Sequence, residues 1–350
     1  MTQFADADTP HIRTHPAARP PHVGPPHNNS ELQSLLLLRL VTILRYALRA
    51  RRLACVAAPV GVSCAAVANC AGWSPLQRGL FMMGAGGSSE IVAKQDALPG
   101  RSSKMKVSAQ HYVLKTPMEG PWPDHMKVFV FANGCFWGSE KGAWRLPGGG
   151  IHSTAVGYAG GWTPNPTYKE ACSGMSGHTE AVQVVYDPAK ISLVDILRWF
   201  WESHDPTSGM GQGNDRGTQY RSGLYYFDDE QKALCESSKA AYEKALQAAG
   251  KGRGSEITTE IRSAADFEAD GGKVFYYAED DHQQYLAKPG ARPYCSAQPQ
   301  VVSLPPHEEW MPAELQAAHA PKLTQSFWDR HAPTPHCVIR SPDEPIAWVG

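Results

Sequence analysis

The chain lacks the cysteine spacings of common metal and redox motifs. No two of its eight cysteines have C-x-x-C spacing, and no cysteine–histidine cluster has zinc-site spacing, so a structural metal is not expected. Their irregular distribution over 350 residues favours a few reactive thiols among inert ones over a disulfide framework. The cysteines are Cys55, Cys64, Cys70, Cys135, Cys172, Cys235, Cys295 and Cys337.

The chain also has almost no net charge. Its formal charge is −1, so the composition does not favour nucleic acid or an anionic surface as a partner. Hydrophobic residues make up 42% of the sequence, which is enough for a substantial core.

Acidic residues are missing between Glu31 and Glu90, a region that contains several arginines. Within it, the uncharged residues 53–73 are long enough to cross a membrane, but they are rich in alanine and contain Pro59. Such a segment is typical of a cleaved leader rather than a permanent anchor. We therefore expect residues 1–110 to be a disordered leader without stable membrane insertion. The expected destination is a plastid, with a mitochondrion as the alternative, or the cytoplasm if translation starts downstream.

Hydrophobic periodicity and turn residues predict a mixture of strands and helices from residue 111 onward. Because the predicted strands and helices do not alternate regularly, we expect an α+β fold with a mixed or largely antiparallel central sheet and flanking helices. The predicted strands are 128–132, 151–158, 180–186, 224–227 and 257–261, and the predicted helices are 139–145, 192–204, 229–249 and a short one at 279–286.

The C-terminal segment 296–350 is rich in proline, which interrupts any long helix or strand. We expect it to be an extension that wraps over the catalytic domain, residues 111–295, in extended form. Trp310, Phe327 and Trp328 are the side chains expected to hold it there.

Cys135 is the first candidate functional residue. It follows a predicted buried strand and lies at the start of a helical stretch, between Gly134 and Gly138 and next to Phe136 and Trp137. A thiol at a helix N-terminus faces unpaired N–H groups and the positive end of the dipole, which favour the nucleophilic thiolate. The pattern indicates a nucleophile beside an apolar wall, although a buried core cysteine is the alternative.

Glu180 is the second candidate. It opens a strand whose neighbouring residues are apolar. A carboxyl group at the edge of an apolar pocket keeps its proton near neutral pH and can act as a general acid. From spacing alone, an ordinary solvated strand-end glutamate is the better fit. A polar, glycine-containing loop at residues 204–222 is a further place where binding residues are expected.

Several short motifs occur in order over residues 127–295 and together resemble the peptide methionine sulfoxide reductase A family. They are GCFWG at 134–138, GY at 157–158, NPTY at 165–168, GHTE at 177–180, YDP at 186–188, QGND at 212–215, QYRS at 219–222, AED at 278–280 and HQQY at 282–285. The resemblance implies a ferredoxin-like core and an enzyme that reduces methionine S-sulfoxide, both protein-bound and free, to repair oxidised proteins.

The resemblance also implies roles for individual side chains. Cys135 would attack the sulfoxide sulfur, and Glu180 would protonate its oxygen. The phenols of Tyr168 and Tyr220 would hydrogen-bond that oxygen.

Substrate contacts follow from the same resemblance. Phe136 and Trp137 would hold the methyl group of the substrate, and Asp215 would bind its main-chain side.

Recycling is where the sequence departs from the common pattern. Cys295 matches the first recycling cysteine of the family, but the second position is occupied by Ser303. Either Cys295 ends the relay or Cys337 replaces the missing thiol. The resemblance implies an intramolecular disulfide reduced by thioredoxin or another dithiol, no bound cofactor and a monomer. Cys172 matches a position that is often cysteine in the family, and Cys235 is expected to be inert.

The residues are also compatible with two other functions. A cysteine amidase or peptidase would need a histidine base, for which His178, His204 and His282 are available without a matching local motif. We expect His178 and His282 to be structural hydrogen-bonding residues instead. A non-catalytic module that binds oxidised methionine is the second alternative.

Overall fold

A six-stranded sheet forms the centre of the molecule. The computed structural model describes residues 88–254 and 256–348, which all belong to one compact unit, Trp73–Gly350. The strands of the sheet lie in the order β7-β6-β1-β3-β2-β8, and β6 and β7 are parallel while the other neighbours are antiparallel. They are β1 (Lys127–Asn133), β2 (Ile151–Ala159), β3 (Thr179–Tyr186), β6 (Ser222–Tyr226), β7 (Glu260–Ser263) and β8 (Phe275–Tyr277), while β4 (Gly211–Gln212) and β5 (Asp215–Arg216) form a separate two-stranded ribbon.

Helices cover the sheet, which confirms the predicted α+β class. Two of them start with a capping box, in which Thr167 and Ser192 are the N-cap residues and Glu170 and Asp195 return the hydrogen bond. The helices are α1 (Phe136–Trp144), α2 (Tyr168–Cys172), α3 (Leu193–Glu202), α4 (Asp229–Ala248), α5 (Ala264–Ala269), α6 (Ala313–His319), α7 (Gln325–His331) and α8 (Cys337–Arg340).

The central strands are buried because their residues are apolar on both faces. In β1, Phe129 and Phe131 pair with Val184 and Val182 of β3, and all four side chains are buried. Helix α3 adds a further apolar face that includes Phe200 and Trp201. Strands buried on both sides read as continuous hydrophobic runs, which is why β1 and β3 were predictable from the sequence.

Three predicted elements differ from the structure. The helix predicted at 139–145 begins three residues earlier, at Phe136. The strand predicted at 257–261 lies further along the chain, at Glu260–Ser263. The helix predicted at 279–286 is wrong: this segment forms turns followed by a 3₁₀ turn, Tyr285–Ala287. There, Gln283 uses its side chain to bond the backbone of Val156, which is a long-range contact that no local pattern reveals.

The C-terminal segment is not extended throughout, contrary to expectation. It contains α6, α7 and α8. Prolines precede these helices and do not interrupt them: Pro312 is the N-cap residue of α6, and Pro335 lies two residues before α8. Phe327 and Trp328 are buried against the core as expected, and Trp310 is partly buried.

The C-terminal segment also contacts the helix that follows Cys135. The ammonium group of buried Lys141 forms an ion pair of 2.5 Å with Asp343, and the indole N–H of Trp144 donates to the Asp343 carbonyl at 2.7 Å. Arg145 donates to the carbonyl of Glu344 at 3.3 Å. The last part of the chain is thus fixed to α1.

The predicted leader, residues 1–110, lies mostly outside the described residues. Its last part, residues 88–110, is described and is not disordered, contrary to expectation: Leu98 is buried and Arg101 forms an ion pair of 2.7 Å with Glu170. The arginine-rich and uncharged stretches of the leader both precede residue 88, so the predictions made for them stay predictions. Among the residues that the structure describes, no helix is long and apolar enough to span a membrane.

Candidate active site

Cys135 lies at the junction between β1 and α1, where it is the N-cap residue of the helix. Gly134 precedes it with a φ of +100°, a conformation that side-chain-bearing residues rarely adopt. A Cβ at Gly134 would also lie 2.8 Å from the Cβ of Gln212. Glycine at this position therefore allows the chain to turn sharply and Gln212 of the β4–β5 ribbon to pack directly against the residue before Cys135.

The protonation state of Cys135 differs from the expectation. Burial, and then the charge of Glu180, raise the pKa of the thiol well above its ordinary value, and a hydrogen bond from the backbone of Trp137 only partly opposes them. The free site thus holds a neutral thiol. Position at a helix N-terminus is not enough to ionise a partly exposed thiol that is surrounded by protein and placed next to a carboxyl group.

Glu180 lies beside Cys135, as a shared site requires. The backbone N–H of Phe136, the residue after the cysteine, donates to Glu180 Oε2 at 3.0 Å. Burial raises the pKa of Glu180 to about 8, more than this hydrogen bond lowers it, and the charge of Asp215 adds to the rise. The carboxyl group is therefore protonated at neutral pH, in agreement with the expectation from its apolar neighbours.

Tyr168 and Tyr220 face the same carboxyl group. Burial is the main cause of the raised pKa of both phenols, and the charge of Glu180 contributes to each. Tyr168 also shares a hydrogen bond with Cys172, whose pKa burial raises to about 11. Both phenols keep their protons at any pH near neutrality, so they can act as hydrogen-bond donors. Cys172 is therefore close to the site and not remote from it.

Asp215 lies on the ribbon at one side of the site. Tyr294 donates its hydroxyl to Asp215 Oδ1 at 2.6 Å, while Asp215 Oδ2 is buried and has no hydrogen-bond partner among the described residues. An unpaired carboxylate oxygen is costly unless a ligand satisfies it. Tyr294 was not singled out from the sequence, although its position next to Cys295 could have suggested it.

An aromatic wall forms the opposite side. Trp137 stacks on Tyr285 with ring centroids 3.9 Å apart, and its indole N–H donates to His282 Nδ1 at 3.1 Å. His282 also packs against Phe136 and Tyr168, with centroid distances of 5.3 and 4.8 Å. The two predicted wall residues, Phe136 and Trp137, are thus held in place by a histidine and a tyrosine of the HQQY motif.

Cys295 lies against the helix of Cys135. A Cβ on Gly138 would be 2.9 Å from Cys295 Sγ, so this glycine allows the second thiol to approach the first turn of α1. Cys295 is buried, and Cys295 and Cys337 both line one small cavity of about 20 Å³. The structure therefore brings both candidate recycling cysteines to α1. The five cysteines in the described part of the chain are all reduced.

Sequence reasoning missed a buried glutamate in α1. Glu140 accepts hydrogen bonds from Thr154 Oγ1 at 3.0 Å and from the side chain and backbone N–H of Gln284 at 2.6 and 2.8 Å. Burial raises its pKa to about 7. Gln284 has a left-handed φ of +47°, so these bonds hold the loop of His282 and Tyr285 in an unusual conformation. The only sequence signal was a pair of charged residues, Glu140 and Lys141, inside a helix whose other residues are mostly small or aromatic.

Buried histidines near the site are engaged elsewhere. His178 accepts from the N–H of Gly161 and bonds the carbonyl of Thr163. His204 bonds the Phe200 carbonyl and Ser222 with its two nitrogens. Burial lowers the pKa of each to about 4. The Nδ1 of His282 is bonded to Trp137. His178 and His282, the two predicted structural histidines, thus both make hydrogen bonds. Because these bonds occupy ring nitrogens, they disfavour a cysteine–histidine hydrolase.

The site therefore brings a cysteine, a neutral carboxylic acid, two phenols and an aromatic wall close together. In the described ranges, no group of three His, Cys, Asp or Glu side chains is placed to hold a metal ion. These features define an enzyme that uses a thiol nucleophile and a general acid.

Comparison with known proteins gives the family. The model of the family "Peptide methionine sulfoxide reductase" matches residues 127–314, more than half of the chain. A reductase of this type from Synechocystis sp. is 53% identical over 203 residues, which are 58% of this chain and 86% of the relative. Another from Salinispora arenicola is 50% identical over 220 residues, 62% of this chain and 93% of the relative.

A solved structure agrees. Methionine sulfoxide reductase A of Corynebacterium diphtheriae is 41% identical, with a TM-score of 0.51 over 59% of this chain and 93% of that one. The chain belongs to the peptide methionine sulfoxide reductase A family, and reduction of methionine sulfoxide is its activity. The family match extends past residue 295 into the segment that we expected to be a separate extension.

Proposed function

We propose that the chain reduces the S epimer of methionine sulfoxide, in oxidised proteins and as the free amino acid, through a sulfenic acid on Cys135. The observation that carries this proposal is the 3.0 Å hydrogen bond from Phe136 N–H to Glu180, because it places a neutral acid one residue from the thiol. Repair of oxidised proteins is the role that follows.

Substrate binding uses both sides of the site. The methyl group packs on Phe136 and Trp137, and the sulfoxide oxygen accepts hydrogen bonds from Tyr168 and Tyr220. The partly unpaired carboxylate of Asp215 receives the N–H of the substrate main chain. Because one side of the sulfur is apolar and the other offers donors, only one sulfur epimer presents its oxygen to the donors while its methyl group is buried.

Reduction follows as Cys135 attacks the sulfur. Glu180 gives its proton to the sulfoxide oxygen as the bond between the two sulfurs forms, and the thiol proton returns to the Glu180 carboxylate. The hydroxyl group then moves from the substrate sulfur to the Cys135 sulfur and the bond between the two sulfurs breaks, which leaves methionine and a Cys135 sulfenic acid. The thiol and the sulfoxide have exchanged one oxygen atom, so no cofactor is required for this step.

Recycling uses Cys295 and Cys337 in sequence. The Cys295 thiol condenses with the sulfenic acid, which releases water and forms a Cys135–Cys295 disulfide. Cys337 then attacks Cys295, which frees Cys135 and moves the disulfide to the Cys295–Cys337 pair. The shared cavity of Cys295 and Cys337 supports this order, and thioredoxin or another dithiol reduces the final disulfide.

Activity on the two separate sulfur epimers tests the proposal, with thioredoxin and then dithiothreitol as reductant. We expect turnover of the S epimer alone and its complete loss in Cys135→Ser, since a hydroxyl is a far weaker nucleophile. Turnover of the R epimer, or activity in Cys135→Ser, would contradict it.

Peptide mapping after one turnover should show Cys295 joined to Cys337. A Cys337 that remains alkylatable would make Cys295 the end of the relay.

The compartment is a separate part of the proposal. The arginine-bearing, acid-poor leader supports import into a plastid, with a mitochondrion as the alternative. Fusion of residues 1–110 to a fluorescent protein tests it, and a diffuse cytosolic signal would contradict it.

A further inference from the structure

Cys337 also lines a second, larger cavity. It has a volume of about 250 Å³, just below the roughly 300–1,000 Å³ that is typical of small-molecule sites. Its walls include Cys337, Arg145, Arg330 and His331, beside an apolar surface that contains Trp328. We call it the Cys337 cavity.

The charge in the Cys337 cavity is positive. Two guanidinium groups line it, and among the described residues no aspartate or glutamate does. Arg330 lies over the ring of Trp348 at 5.4 Å and makes no ion pair within the described part of the chain. Arg145 uses its Nε for the carbonyl of Glu344, which is a neutral acceptor. The two arginines contribute to the lowered pKa of His331, after its burial.

Nearby carboxylates do not cancel this charge. Asp343 and Glu344 both act on Arg145, but neither lines the cavity. Asp343 is paired with Lys141 at 2.5 Å. Glu344 is exposed to solvent, where its interaction is screened.

Cys337 lines two neighbouring cavities, the small one that Cys295 also lines and the Cys337 cavity. Cys295 is buried, whereas Cys337 is partly exposed. In a disulfide between them, the more accessible sulfur would therefore be that of Cys337, in the cavity that the two arginines line. Access decides which sulfur an external thiol attacks.

We propose that the Cys337 cavity binds a small thiol that carries carboxylates, of the chemical class of glutathione, and that this thiol reduces the recycling disulfide directly. The inference rests on the proposed relay through Cys337. The carboxylates pair with Arg145 and Arg330, and the thiol lies at Cys337. This route operates in addition to reduction by a protein dithiol.

The exchange is balanced in two steps. The thiolate of the bound thiol attacks Cys337 Sγ, the Cys295–Cys337 bond breaks, and Cys295 leaves as a thiolate that takes a proton. A second molecule then attacks the sulfur of the first, releasing the Cys337 thiol and a symmetrical disulfide. Two small thiols are oxidised by two electrons in total, and one protein disulfide is reduced.

Reduction kinetics of the full chain provide the first test. The protein is oxidised with one equivalent of methionine sulfoxide and then reduced with glutathione or with uncharged dithiothreitol. For Arg330→Gln we expect the glutathione rate to fall about fivefold or more, because attraction of an anion raises the association rate, while the dithiothreitol rate stays unchanged. The exposed Lys251→Gln is the charge-matched control. An equal glutathione rate in wild type and Arg330→Gln would overturn the inference.

Binding of S-methylglutathione separates the cavity from the relay. This unreactive probe should bind the reduced wild type and Cys337→Ser, and should bind Arg330→Gln more weakly. No saturable binding to the wild type would overturn the inference and leave the relay intact. If the probe binds but peptide mapping finds no Cys295–Cys337 disulfide, the relay fails, and direct reduction at Cys337 fails with it.

Discussion

One backbone hydrogen bond places the acid beside the nucleophile. Because Phe136 N–H donates to Glu180, the carboxyl group is fixed one residue from Cys135, and burial keeps its proton at neutral pH. The same burial keeps the Cys135 thiol neutral in the free site. Glu180 and Cys135 therefore both keep their protons until a sulfoxide oxygen is present to accept one.

Replacement of Glu180 by glutamine is the corresponding residue-scale prediction. The amide keeps the shape of the side chain but cannot donate an acidic proton, so kcat should fall by about 10²-fold or more. Since the pKa of Glu180 is about 8, kcat of the wild type should decrease as pH rises through this value. The decrease should be absent in Glu180→Gln. Steady-state rates from pH 6 to about 9.5 measure both effects, a range set by that pKa.

Exposed Glu268→Gln is the matched control, and it should behave like the wild type. Near-wild-type turnover of Glu180→Gln would show that the proton comes from elsewhere.

Helix α1 connects the site to two other parts of the molecule. Cys135 and Trp137 lie at its start, and Glu140 in the next turn binds the loop of Gln284. Further along, Lys141 binds the C-terminal segment through Asp343. The helix thus fixes the aromatic wall on one side and the Cys337 region on the other.

The prediction at the scale of elements concerns Glu140 and Gln284. Glu140→Gln would place an amide donor against groups that themselves donate, which costs about 1–3 kcal/mol for each unsatisfied group. The loop of His282 and Tyr285 should then loosen, so KM for the sulfoxide should rise about tenfold while kcat changes less. Steady-state kinetics on the S epimer measure the changes in KM and kcat separately.

A reciprocal exchange supplies the control for that prediction. Glu140→Gln combined with Gln284→Glu returns one carboxylate to the pair, so KM should move back toward the wild-type value. An unchanged KM in the single variant, or no recovery in the double variant, would remove the assigned positioning role.

The sequence predicted the elements where the pattern was local. β1, β3 and α3 follow from apolar runs and from Ser192 as a cap, and they are found within two residues of their predicted bounds. The fold of 279–286 was missed because its turns depend on Gln283 and Gln284 bonding distant backbone and side chains. Cys135 and Glu180 were recognised from motifs, but their contact arises only when β3 packs beside β1 and α1.

At the scale of the whole molecule, buried ionisable groups determine how stability depends on pH. Burial raises the pKa of Glu140 to about 7 and of Glu180 to about 8, while it lowers those of His178 and His204 to about 4. The histidines bind fewer protons in the folded state than in the unfolded state, but only below about pH 6.5, which is the ordinary histidine pKa. Above that value, the carboxyl groups still bind more protons in the folded state than in the unfolded state.

The free energy of unfolding should therefore fall as pH rises from about 6.5 to 8, by up to about 1.4 kcal/mol per pH unit for each carboxyl group. The sign follows because the folded state binds more protons in this range. Urea unfolding at several pH values measures it, and Glu180→Gln should flatten the slope. A free energy of unfolding that rises over this range would contradict the assigned pKa directions.

Trapping of Cys135 after one turnover tests the central claim most directly. The variant Cys295→Ser/Cys337→Ser is mixed with one equivalent of methionine S-sulfoxide and a reagent that captures sulfenic acids, and its peptides are mapped by mass spectrometry. The account predicts one methionine formed for each Cys135 that carries the trap or a disulfide. When Glu180→Gln is introduced into the same variant, little methionine and little modified Cys135 should form. Methionine formed while Cys135 remains an unmodified thiol would contradict it.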